Sequence, residues 1–270
     1  MGAPEGPPTD VAVRRSAAGA LACGVVAAAI AAHGCADQVL AVFTPETSWL
    51  FLAPSLLTVL VGLVGLCASR RAASALFRSQ LAAFLVLAAA MLGGAGAFAF
   101  WSAGAAADWI ELGCKRHTIE GKFRGAGRIR PRMRRAQEQY QLLHAGFATC
   151  RAVHPLVYDL ARCGVRAACP DGQEARLQPM FGFWQHVQLT FQCGGFCTAD
   201  VPMFGPASMR ETLSERHACA AQVAAAVEAS GRALGIASAA LAPLVAALAL
   251  ALFWAAKDGV ADEAGAAETW

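Results

Sequence analysis

Four stretches of this chain, residues 16–36, 49–69, 81–101 and 233–256, contain no Asp, Glu, Lys or Arg. A helix rises 1.5 Å per residue, so roughly 20 apolar residues cross the hydrocarbon core of a bilayer. Water cannot solvate four such surfaces, and a chain of this length has too little polar material to cover them all. Hydrophobic residues make up 57% of the 270 positions and charged ones only 15%. The excess is gathered in these runs rather than spread at helix or strand period. The expected fold class is an all-α integral membrane protein with four transmembrane helices and a disulfide-stapled, mainly helical exoplasmic loop between helices 3 and 4. The corresponding divisions are an N-terminal tail (1–15), helices 1–3 with short connectors (16–101), the large loop (102–230), helix 4 (231–256) and an acidic tail (257–270).

Trp49, Trp101 and Trp254 stand at or near span ends, where an indole keeps its ring in apolar surroundings and its N–H wet. Arg14 and Arg15 precede the first run, Arg70, Arg71 and Arg78 lie between the second and third, and Lys257 follows the fourth. The connector 37–48 has no Lys or Arg. The positive-inside bias therefore puts both termini in the cytoplasm and the large loop on the exoplasmic side; which membrane is involved is not legible. A competing reading takes Arg14, Arg15 and the following Ala-rich run as a cleaved secretory signal, which would leave three spans. Residues 1–10 and 258–270 are expected to be disordered from their Pro, Gly and acidic content.

Inside the runs the only ionisable side chain besides cysteine is His33, near one end. Carriers and pumps keep charged groups at mid-membrane, so transport is disfavoured. The net charge of +3 is too small and too divided to suggest nucleic acid. Small residues are frequent instead. Gly62 and Gly65, Gly93, Gly94 and Gly96, and the Gly231-xxx-Gly235 pair allow close helix contact, and Gly62, Gly93, Gly231 and Gly235 are the candidate packing positions. Pro54 and Pro243 are expected to kink their helices.

Residues 102–230 hold seven of the ten cysteines: Cys114, Cys150, Cys163, Cys169, Cys193, Cys197 and Cys219. In an oxidising compartment these read as structural disulfides, worth roughly 2–4 kcal/mol each. Seven is odd, so at least one is free or joined to another chain, and spacing leaves the connectivity open. Apolar residues at helical steps run along Met133, Ala136, Tyr140, Leu143, Phe147 and Cys150, and along Leu213, His217, Ala220, Ala224 and Val227. Cys219 lies close to the second stripe, which leads toward the fourth span as a helical stalk. Residues 183–191 fit a short helix or a strand equally well. The stretch bounded by Lys115 and Arg135 has nine Lys or Arg against Glu120 alone, and reads as a loop until Pro131. It is either a solvated insertion or a surface for an acidic partner.

The segment Trp184-Gln185-His186-Val187-Gln188-Leu189-Thr190-Phe191-Gln192-Cys193-Gly194 is similar to the one leading into the Cys-Cys-Gly signature of the tetraspanins. Four spans, a minute first exoplasmic loop, a basic inner turn and a large cysteine-rich second loop resemble the same family over nearly the whole chain. Cys219, ahead of the last span, resembles its final loop cysteine. Departures are clear: Gln192 stands where the first signature cysteine would be, no Pro-x-Ser-Cys follows, and the usual Asn of the first span and the acidic residues of later spans are missing. The resemblance implies a non-catalytic scaffold that gathers other membrane proteins, or copies of itself, within the bilayer, without a cofactor. It also implies a Cys193–Cys219 disulfide, with Cys197 taking over the missing cysteine's role. S-acylation of inner-leaflet cysteines is implied too, for which Cys67, beside Arg70 and Arg71, is better placed than the deeper Cys23.

A different class stays open. Four-helix membrane oxidoreductases pass electrons from paired cysteines to a quinone, and Cys193-Gly194-Gly195-Phe196-Cys197 is one residue wider than their Cys-x-x-Cys. A zinc site drawing on Cys163, Cys169, Cys193 and Cys197 with His186 or His217 is a related alternative. A channel-forming or junctional role is a further non-enzymatic one. No Ser-His-Asp arrangement or phosphate-cradling glycine loop supports a hydrolase or kinase.

Overall fold

The computed structural model describes residues 8–68, 75–117, 129–153, 159–162, 174–204 and 218–267. They form helices α1 (Pro8–Ala36), α2 (Gln38–Phe43), α3 (Pro45–Ala68), α4 (Ala75–His117), α5 (Ile129–Val153), α6 (Glu174–Phe191) and α7 (Cys219–Ala267), with no strand among the described residues. Helices α1, α3, α4 and α7 are long and apolar enough to cross a membrane, and the chain is a multi-pass membrane protein on that ground.

The helices outrun the four runs read from hydropathy. Helix α3 begins at Pro45, a residue suited to a first helical turn because its missing N–H would be unpaired there anyway. Helix α7 continues to Ala267, so most of the acidic tail is helical rather than disordered. Extending an existing Ala-rich helix avoids the nucleation cost that keeps short isolated segments unfolded. At the two ends of the basic stretch the loop expectation fails, since residues 115–117 close α4 and α5 starts at Ile129, ahead of Pro131; residues 118–128 lie outside the described residues. Residues 183–191 are the end of a helix, which settles that ambiguity.

The contacts divide the chain into two units. The first comprises Met1–Ala36, Pro45–Trp101 and Gly231–Trp270; the second comprises Asp37–Thr44 and Ser102–Ser230. In the first unit small residues set the helix spacing. A Cβ on Gly62 would stand 2.6 Å from the Leu21 nitrogen, one on Gly24 would stand 2.7 Å from the Val59 nitrogen, and one on Gly65 would meet Ala17 at 2.8 Å. These pairs run in opposite directions along α1 and α3, so the two helices pack antiparallel. Helices α4 and α7 do the same. Ser238 Oγ donates to the Leu92 carbonyl at 2.6 Å, a Cβ on Gly96 would stand 2.5 Å from Ser238 Cβ, and Arg78 Nη1 donates to the Ala255 carbonyl at 2.9 Å. Gly19 faces Leu248 and Gly65 faces Leu81, which joins the two pairs into one bundle.

Pro54 and Pro243 lie inside unbroken helices. Next to Pro54, Ser55 Oγ donates to the Phe51 carbonyl at 2.6 Å and Thr58 Oγ1 to the Pro54 carbonyl at 2.7 Å, so both buried hydroxyls are satisfied within their own helix. On the outside, Leu56, Leu60, Leu63, Phe84, Val86, Leu87, Ile236, Leu244 and Phe253 are exposed. Water would penalise a contiguous apolar surface of this kind, whereas lipid accepts it.

Candidate functional site

The second unit is built on large side chains. Trp184 is fully buried, with Tyr140, Phe183 and Phe196 at ring distances of 5.0, 5.0 and 5.3 Å, all edge-on. Edge-to-face geometry suits the ring quadrupoles and adds to the burial itself. Ala136, Tyr140, Leu143, Phe147 and Cys150 present the buried stripe of α5, and Ala220, Ala224 and Val227 that of α7. Leu213 and His217, expected on the same stripe, lie outside the described residues.

The connector after α1 belongs to this unit, a role the sequence reading missed. Asp37 caps α2, accepting from the Val39 and Leu40 amides at 2.9 and 3.2 Å, and its other oxygen accepts from Ser230 Oγ at 2.9 Å. Phe43 is fully buried against Phe183 and Phe196, while its carbonyl accepts from Arg132 Nη1 at 2.7 Å. The signal was present as a capping Asp followed by Val39, Leu40 and Phe43 at helical spacing.

The cysteines converge on the turn that follows α6. Gln192 adopts a left-handed φ of 49° directly after the last helical residue, and Gly195 has φ +76°. A Cβ on Gly195 would run into the Thr198 carbonyl and one on Gly194 into the Asp200 carbonyl, so both positions need glycine. Cys193 is bonded to Cys219 and Cys197 to Cys114, with Cα separations of 5.1 and 4.7 Å. One five-residue turn is thereby tied to the first residue of α7 and to the far part of α4.

Hydrogen bonds complete the turn. The Cys219 and Ala220 amides, unpaired donors at the start of α7, donate to the Gly195 and Phe196 carbonyls at 3.2 and 3.1 Å. The Gly195 amide donates to Tyr140 Oη at 3.0 Å, and the Asp200 amide to the Gly194 carbonyl at 3.1 Å. Gln188 is buried and its Oε1 accepts from the Met203 and Phe204 amides at 2.8 and 3.1 Å. His144 Nε2 lies 3.3 Å from Asp200 Oδ2. Burial, reinforced by the Asp200 charge, pushes the Tyr140 hydroxyl up to about 12, with the Gly195 and Gln188 contacts pulling the other way. Tyr140 stays a neutral phenol and acts here as an acceptor.

Of the seven loop cysteines, Cys114, Cys193, Cys197 and Cys219 thus form two bridges, Cys150 is also disulfide-bonded, and Cys163 and Cys169 lie outside the described residues. Cys193 and Cys197, the pair an oxidoreductase would join, take separate partners. Among the described residues no three His, Cys, Asp or Glu side chains stand together to hold a metal, and His186 is exposed on α6. Cys67 and Cys35 are free and exposed, and Cys23 is free and half-buried. Of the packing candidates, Gly62 is in tight contact, and Gly235 faces Phe100 Cβ at 3.1 Å and the Gly96 carbonyl at 3.2 Å. Gly231 is buried, and Gly93 makes only an ordinary contact with Ala242 at 3.9 Å. Gly24, which the sequence reading passed over, is as tight as Gly62. No family model matches the chain, and no curated protein or solved structure is similar to it.

Proposed function

We propose that this chain is a tetraspanin-like membrane organiser: a non-catalytic scaffold whose stapled second unit and small-residue bundle bind other integral membrane proteins, or further copies of itself. One observation carries the reading. The cysteines of the Cys193–Cys197 turn are bonded to Cys219 and Cys114, which joins three helices around the Trp184 core and supports a fixed surface. Both termini are assigned to the cytoplasm and the second unit to the exoplasmic side. The Arg78–Ala255 bond supports this, since it brings the start of α4 to the same end of the bundle as Lys257. Cys67, exposed near the end of α3, is the proposed S-acylation site, and residues 115–135 the proposed contact for an acidic partner.

The test is mild-detergent purification from the native membrane, comparing wild type with a Cys193→Ser, Cys219→Ser double variant that still inserts. The organiser reading expects integral membrane proteins in defined ratio with the wild type, lost in the variant. Wild-type protein that purifies alone and oxidises dithiols in the presence of a quinone would sink it. A glycosylation acceptor placed within 118–128 reads the orientation: modification is expected, and its absence reverses the assignment.

A further inference from the structure

Two of the spanning helices carry a proline in their interior, and the consequence for the backbone differs with depth. Proline has no N–H, so the carbonyl four residues earlier loses its helical partner, and the ring pushes that carbonyl aside. In α3 the carbonyl concerned is that of Leu50, next to Trp49 at the end of the apolar run, where headgroups and water reach it. In α7 it is that of Ala239. The charge-free run 233–256 is centred near residue 244, so Ala239 lies about 8 Å from mid-span, well inside a hydrocarbon core about 30 Å thick. Hydrocarbon supplies no donor, and an acceptor at that depth has to find one in protein. The hydroxyl next to it in sequence is committed elsewhere: Ser238 Oγ donates to the Leu92 carbonyl at 2.6 Å.

The surroundings fit a neighbouring helix. Ala239 and Pro243 are both exposed, and so are Ile236, Ala240, Ala247 and Leu250, which share their face of α7 at steps of three and four. The alanines leave that face shallow around the carbonyl, so a second backbone can come close. We infer that this face docks a transmembrane helix of a different integral membrane protein, one whose outward Ser, Thr, Asn or Gln side chain donates to the Ala239 carbonyl. A second copy of this chain is the poorer match. None of the four apolar runs contains Asn or Gln, and among the described residues their hydroxyls, Ser16, Ser55, Thr58 and Ser238, are all buried. The Cys23 thiol is half-buried and a weak donor, while His33 and the exposed indoles of Trp49, Trp101 and Trp254 stand toward span ends. The inference deepens the organiser reading and rests on it for a natural partner, but the face itself is tested with a synthetic helix, so failure here leaves that reading standing.

The experiment is energy transfer in phosphatidylcholine liposomes between the labelled full-length protein and a Leu/Ala single-span peptide at trace density. The peptide carries one Ser at the depth of Ala239, or Ala in its place. The Ser peptide is expected to associate roughly fivefold more tightly than the Ala peptide. Pro243→Ala restores an amide to the Ala239 carbonyl and should abolish that preference without lowering the thermal midpoint, whereas Pro54→Ala should leave the preference intact. Equal association of the two peptides with the wild type, a preference that survives Pro243→Ala, or one lost in Pro54→Ala overturns the inference. If Pro243→Ala does not insert, Ala240→Phe takes its place: it fills the same exposed face, and a preference that persists there is equally fatal. Self-association of the wild type that disappears in Pro243→Ala would give the face to a second copy and overturn the assignment to a different protein.

Discussion

The bundle and the stapled unit solve the same packing problem with opposite materials. The bundle brings backbones together by removing side chains: Gly24, Gly62, Gly65 and Gly96 leave room for a neighbouring helix where a single methyl would collide. The stapled unit fills its centre with Trp184, Phe43, Phe196 and Phe204, then locks it with disulfides. Solvent explains the difference. In lipid there is no hydrophobic gain from hiding a large apolar side chain, so close van der Waals contact between small surfaces holds helices together. In water, burial of aromatic area is the main stabilising term, and a small core benefits from covalent support.

This contrast can be broken at either end. The largest effect is expected for Trp184→Ala, which should cost about 3–5 kcal/mol in the second unit alone. Urea titration followed by limited proteolysis should show cleavage within 129–204 while α1 and α3 stay protected. Simultaneous loss of both would mean the units are not separately stabilised. Next comes Gly62→Leu, expected to cost about 3 kcal/mol by forcing α1 from α3. Thermal unfolding in detergent should show it, and an unchanged midpoint would remove the small-residue account of the bundle.

A third effect belongs to the stapled unit only. The Tyr140 pKa is higher folded than unfolded, so the folded protein holds its proton more tightly. That stabilisation is fully present below pH 10 and decreases as pH rises from about 10 to about 12, amounting to about 2 kcal/mol. Stability measured by tryptophan fluorescence should fall over that window in the wild type and not in Tyr140→Phe. The smallest effect is expected from His144→Ala. Both members of the His144–Asp200 pair are partly exposed, so the loss should be about 0.5 kcal/mol in a chemical denaturation series.

Sequence alone was informative wherever one solvent imposes one pattern. Lipid demands uninterrupted apolar runs, which is why four long apolar helices were legible. Water demands a stripe, which is why Ala136, Tyr140, Leu143 and Phe147 could be placed on one face of α5. Where the two regimes meet, the pattern loses its meaning. Ala103, Ala106 and Ala107 look like a continuation of the third run, yet they line the core of the second unit. Asp37–Thr44 carries a cap and three apolar residues at helical spacing, but eight residues are too few to set that pattern apart from a plain connector. The bridge partners could not be read from spacing either. Cys114 and Cys197 are 83 positions apart, and only the path of the whole unit brings them together.

The carbonyls of Gly195 and Phe196 fix where α7 begins, because they receive its first two amides while Cys193 holds Cys219. Both ends of the chain between the turn and α7 are therefore pinned independently of how many residues join them. An insertion between Phe204 and Cys219 lengthens the ring that the Cys193–Cys219 bridge closes, and the entropy of such a closure grows slowly with size. That interval is where an epitope tag, or sequence drift between related proteins, should be absorbed without moving the start of the last helix.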